Sequence, residues 1–177
     1  MANLNAPFGL NPVGKIGSGP SQKMSEYKVT NDAIFQGDPV ALGSGVIAQC
    51  AAGAAACGVF WGANYDDSDG KPQFRNNVPA SQAATAFVYD DPYQVFEIQG
   101  DDGGSAVSAQ TNVGGKANYV VDTDGVNNGV SGYQLDTSNI GSGADMMITG
   151  FSTKEGRNEL GAANIVYTVL IDNHLYA

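Results

Sequence analysis

The sequence predicts an all-β fold, an antiparallel β-barrel or jelly-roll-like sandwich with an extended N-terminal arm. Three observations carry this. Short runs rich in β-branched and aromatic residues recur along the chain, as in Thr85–Tyr89, Tyr93–Ile98, Met146–Phe151 and Asn164–Ile171. Turn dipeptides separate them, among them Asp124-Gly125 and Asn128-Gly129, and glycine is abundant at 24 residues, which supplies the positive φ that tight turns need. No long segment shows the 3.6-residue apolar period of a helix.

Residues 1–24 read as the arm, and residues 25–177 as a single β domain. Pro7, Pro12 and Pro20, with Gly9, Gly14, Gly17 and Gly19, exclude a helix or a central strand there. Yet Leu4, Phe8, Leu10, Val13 and Ile16 are apolar, so the arm is expected to lie extended against a surface. Glu26–Thr30, Val40–Leu42, Val46–Gln49 and Cys57–Trp61 follow as strands. Residues 62–80, with Asp66, Asp67, Asp69, Gly70 and Phe74, read as a long polar loop, a length that points to a contact element. Thr85–Tyr89 and Tyr93–Ile98, joined by Asp90-Asp91-Pro92, read as a β-hairpin. A turn or two of helix is expected within 105–113. Asn164–Ile171 is long and nearly continuously apolar, which predicts a central strand covered on both faces.

Charge and composition exclude more than they assign. Eighteen acidic against eight basic residues give a formal charge of −10. That field repels a polyanion, so nucleic acid is not an expected partner; it suits plain solubility, and it admits a basic protein surface. No apolar run approaches the ~18 residues that span a bilayer, so no membrane partner is expected. The first residues have neither a basic n-region nor an apolar h-region, which predicts no secretory signal. Cys50 and Cys57 are too few for a disulfide framework and read as buried free thiols.

Motifs of chemistry fall short one by one. Gly9–Ile16 approaches the phosphate-loop pattern, but Ile16 stands where a Ser or Thr must hold magnesium. His174 is the lone histidine, with no nucleophile elbow elsewhere, and reads as structural. One His and two Cys make a poor zinc set. Asp66, Asp67 and Asp69, and again Asp122 and Asp124, echo the first half of a calcium loop, but positions 76 and 131 are Asn and Ser where its glutamate belongs. The reading is therefore no metal, no cofactor and no enzyme. A carboxylate pair for glycoside hydrolysis would need a deep aromatic-lined cleft.

Four segments stand out together: Asn5-Ala6-Pro7-Phe8-Gly9 with Pro12-Val13-Gly14, Ile34-Phe35-Gln36-Gly37-Asp38-Pro39-Val40, Asp90-Asp91-Pro92 leading into Val95–Gln99, and Ile171-Asp172-Asn173-His174. In this order and spacing the chain resembles the head decoration (cement) proteins of tailed bacteriophages, of the short-tailed phage or cyanophage type. The resemblance implies a structural protein of the virion, a homotrimer assembled in the host cytoplasm. It implies binding to the outer surface of the capsid, clamping adjacent subunits of the major capsid protein. Leu4, Pro7, Phe8, Leu10, Pro12, Val13 and Ile16 of the arm, Asp66, Asp67 and Phe74 of the polar segment, and His174 and Tyr176 near the end are then candidate capsid or subunit contacts. The long inserts at 62–80 and 122–145 depart from the family pattern. The alternative is a tail- or fibre-type glycan-binding β module, which would need exposed aromatic side chains in a groove.

Overall fold

The computed structural model describes residues 4–17, 23–101, 110–121, 128–154 and 160–177. It is all-β, and its described helical turns are short 3-10 ones, as at Gln110–Asn112 and Thr137–Asn139. Asp122, Asp124 and residues 105–109 lie outside them, with the readings placed there.

Five strands close into a narrow barrel: β2 (Ser25–Val29), β4 (Pro39–Gly43), β5 (Val46–Gln49), β6 (Gly58–Asp66) and β9 (Ala84–Tyr89). They run in the order β4-β5-β2-β9-β6, and β6 returns to β4 through Pro39↔Val59 and Val40↔Gly58. Every neighbouring pair is antiparallel except β2 and β5, which meet in parallel at Lys28↔Val46. So few strands leave little interior. Ala63, Ala84 and Ala86 fill it beside Val29, Ile34, Val40, Ile47, Phe60 and Val88, small residues making room for large ones. Outside the ring, β3 (Ile34–Phe35) pairs with β8 (Asn77–Val78).

The second layer is an antiparallel five-stranded sheet, β1-β10-β15-β14-β11. Its strands are β1 (Asn11–Lys15), β10 (Gln94–Gln99), β15 (Val166–Ile171), β14 (Met146–Phe151) and β11 (Lys116–Ala117). Phe96, Ile98, Met146, Ile148, Tyr167, Val169 and Ile171 share the face that meets Cys50, Ala56, Val59 and Tyr89 of the barrel side. A two-stranded ladder of β12 (Tyr119–Val121) and β13 (Tyr133–Leu135) completes this second core. The register slips between Phe60 and Gly62, and this bulge at Trp61 accompanies an edge-on contact of the indole with Tyr89, ring centroids 5.5 Å apart. As expected, β15 is central, flanked by β10 and β14.

Two expectations are corrected. Thr85–Tyr89 and Tyr93–Ile98 are not a hairpin. β9 has both ladder edges filled, by β2 and β6, while β10 pairs with β1 and β15 in the other sheet. Asp90-Asp91-Pro92 is thus a crossing between layers. Its bend is held by Tyr93 N–H donating to Asp91 Oδ1 at 2.9 Å and Gln94 N–H donating to Asp91 O at 3.0 Å. Nor is 62–80 a long loop. β6 runs on to Asp66 and pairs with β7 (Pro72–Arg75), so most of the segment is a hairpin. Asn64 and Asp66 are strand residues on an outward face, while Asp67 and Asp69 form the turn.

Candidate functional site

The arm is built into the fold. β1 forms an edge of the five-stranded sheet, and Leu10 enters the core at 1 % exposure. The preceding residues are held by side-chain amides. Gln99 accepts from Ala6 N–H through Oε1 at 2.9 Å and donates from Nε2 to Leu4 O at 2.9 Å, gripping the backbone on both sides of Asn5 as a strand neighbour would. Gln134 donates to Asn5 Oδ1 at 2.9 Å, and Gln94 donates to Gly14 O at 2.6 Å. All three glutamines are buried, so the amide groups of Gln94 and Gln99 need these partners.

Arm and barrel meet at two glycines. Leu10 N–H donates to Gly37 O at 2.9 Å. Gly37 has φ +95°, and a Cβ there would lie 2.7 Å from Phe8 O. Gly9 has φ +65°, and a Cβ would lie 2.5 Å from Gly37 O. Only glycine permits this approach. Beside it Asp38 is buried, its Oδ2 accepting from Phe35 N–H and from Gln49 Nε2, each at 2.9 Å. Burial pushes its carboxyl above the ordinary range.

The crossing between layers meets the chain's last residues. Lys15 pairs with Asp91, and this hydrogen bond holds the Asp91 carboxyl below its ordinary range. Tyr27 Oη donates to Asp90 Oδ2 at 2.9 Å and lies 3.2 Å from Tyr176 Oη. Backbone bonds join Asn173 and Leu175 to Ala56. His174 is enclosed at 7 % exposure; its Nδ1 accepts from Tyr176 N–H at 3.1 Å, and burial depresses its pKa against the pull of Asp90 and Asp91. Around this joint Ile16, Tyr93, Leu175 and Tyr176 are exposed, with Ile16 N–H donating to Tyr93 O at 3.0 Å.

The candidate contacts thus divide. Pro7, Leu10 and His174 are enclosed by the chain's own residues, so none offers its side chain to a partner in this fold. Phe8, Pro12 and Asp67 are half-buried. Leu4, Val13, Ile16, Asp66, Phe74 and Tyr176 are exposed. The structure gathers Ile16 and Tyr176 at the crossing and leaves Asp66 and Phe74 on the β6–β7 hairpin. Tyr93 and Leu175 escaped the sequence reading. The one signal for Tyr93 was its place directly after the proline of a bend.

The Asp67 carboxylate is occupied by its own turn. Oδ1 accepts from Asp69 N–H and Lys71 N–H, each at 2.9 Å, and Oδ2 from Gln73 Nε2 at 2.5 Å. The Lys71 N–H bond leads the causes that lower its pKa. Among the described residues no three His, Cys, Asp or Glu side chains are grouped to hold a metal. Cys50 and Cys57 are buried and free, one in each core. A groove of about 680 Å³ runs beside the hairpin, lined in part by Lys28, Thr85, Asn64, Asp66 and Phe74. No protein-family model matches this chain, nor does any curated protein or solved structure.

Proposed function

We propose that this chain is a head decoration protein of a tailed bacteriophage. It binds the outer surface of the expanded capsid and clamps neighbouring major capsid protein subunits, acting as a homotrimer and not as an enzyme. The observation that carries the reading is the exposed apolar rim at the crossing. Ile16 comes from the arm, Tyr93 from the bend, and Leu175 and Tyr176 from the chain's last residues. The four segments that carry the family resemblance meet in pairs. Gly9 of the first touches Gly37 of the second, and His174 of the last lies in the field of Asp90 and Asp91 of the third. Each pair forms a joint of the fold, so the two members of a pair constrain one another.

A clamp needs only surface. Each bound copy favours the assembled capsid by mass action, and three linked copies add avidity. Aromatic side chains with a polar tip, such as Tyr93 and Tyr176, suit such a contact. The acidic surface of the chain favours a basic patch on the capsid and disfavours the packaged genome.

The test is co-sedimentation with expanded, decoration-free capsids, using wild type, Ile16→Asp and Tyr93→Asp. Both sites are exposed, so the variants keep the fold. Wild type should pellet with capsids and raise their heat stability, and each variant should bind about tenfold or more weakly, about 1.4 kcal/mol. Wild type that stays in the supernatant, or variants that bind as wild type does, would overturn the reading.

A further inference from the structure

The groove beside the β6–β7 hairpin has a composition that the clamp does not use. Lys28 of β2 faces Thr85 of β9, Thr85 faces Asn64 of β6, and Asn64 faces Phe74 of β7. Side chains directly opposite one another in a ladder share a face. These four therefore form one row across four strands, on the barrel's outer face. Asp66 stands two residues beyond Asn64 on the same face of β6. The pairing of β6 with β9 ends at Asn64↔Thr85, so the hairpin projects past β9 and leaves a trough along its flank.

Phe74 is the wall of this trough. Its ring lies over Gly62, where a Cβ would come within 2.7 Å of Cζ, and beside Phe87, ring centroids 6.0 Å apart. It is fixed from behind yet 59 % exposed. The polar row alternates in character. Lys28 Nζ donates to Thr85 Oγ1 at 2.8 Å, while the side chains of Asn64 and Asp66 make no hydrogen bond within the protein among the described residues. Asn64 offers two donors and an acceptor, and Asp66 offers acceptors only.

We propose that this groove is a binding site for a neutral saccharide. A sugar ring has an apolar face that lies on an aromatic ring and an edge of hydroxyls that both donate and accept. Phe74 supplies the first, and Asn64, Asp66 and Thr85 supply partners for the second. A volume of about 680 Å³ is ample for a short oligosaccharide. Lys28 and Asp66 carry opposite charges within the groove, which favours a neutral ligand. The site lies by the Ala84 end of β9, whereas the proposed capsid-facing rim lies by its Tyr89 end, so one copy could hold both partners.

The experiment is a two-dimensional amide NMR titration of the full chain with neutral gluco-, manno-, galacto- and N-acetylglucosamine tetrasaccharides. Concentrations run to roughly 10 mM, ten times a millimolar Kd. At least one sugar should shift the signals of Asn64, Asp66, Phe74 and Thr85. Phe74→Ala and Asn64→Ala should each weaken that binding about tenfold or more, with the rest of the spectrum unchanged. Absence of shifts with all four sugars, shifts confined to other residues, or unchanged affinity in both variants would overturn the proposal. Capsid co-sedimentation of Phe74→Ala should equal that of wild type, which separates failure of this site from failure of the clamp.

Discussion

Replacing Leu10 by alanine separates an arm that belongs to the core from one that only lies over it. Leu10 is 1 % exposed and packs in the core between barrel and sheet. Removing its terminal carbons loses their transfer free energy and leaves a cavity, together about 2.7–5 kcal/mol. For a chain of this length each kcal/mol moves Tm by about 2–4 °C, so the expected drop is about 5–20 °C. Val13→Ala is the internal control, because Val13 lies close by in the same arm, at the bulge of β1, and is 40 % exposed. Such a change shifts stability by about 0.5 kcal/mol or less, or about 2 °C at most. Circular dichroism melts of the three proteins decide the matter. If Leu10→Ala melts with Val13→Ala, the arm is not part of the core, and the reasoning fails.

Other expectations follow from the same contacts. Gly37→Ala adds a methyl 2.7 Å from Phe8 O at φ +95°, which should cost roughly 2–4 kcal/mol in urea unfolding, whereas Gly45→Ala, at φ +80° with no atom within 4 Å, should lose only about 1 kcal/mol. Equal losses would refute the close approach of arm and barrel. Burial holds His174 below its ordinary 6.5, so the unfolded chain takes up the proton first as pH falls, and stability should decline downward from about pH 6.5. His174→Gln should show a shallower decline between about pH 7 and 5 in the same assay, since the buried acids contribute alike to both proteins; parallel curves would contradict the assignment. Burial pushes Cys50 up and Cys57 up to about 12, so neither thiol should react with Ellman's reagent in the native state at a rate within roughly a hundredfold of a free thiol. Fast labelling of one thiol would show that its layer opens.

Fold class was legible because it rests on local chemistry. Gly, Asn and Asp at turns and β-branched residues between them declare themselves in any window of the chain. Pairing was not. Thr85–Ala86–Phe87–Val88–Tyr89 carries the same signal whether its neighbour is the next strand in sequence or one from the other layer. What decides is that β2 and β6 occupy both of its edges. Asn64 and Asp66 look like loop residues in sequence, and only the register with β7 reveals them as the outward face of a strand. Among the candidate contacts, apolar character alone could not separate Leu10, which faces the core, from Ile16, which faces solvent. The Gln94, Gln99 and Gln134 clamps were invisible for the converse reason. Polar residues in a strand read as a wet face, and here the arm and the second ladder cover them.

A cryo-EM reconstruction of expanded, decoration-free capsids incubated with the protein tests the clamp most directly. Trimeric density is expected at threefold or quasi-threefold positions on the outer surface, in keeping with the symmetry of the proposed oligomer. Ile16, Tyr93 and Tyr176 should face the major capsid protein, and the Phe74 groove should face outward. Capsids that remain bare, or copies bound with the Phe74 groove against the shell and the crossing turned to solvent, would contradict it.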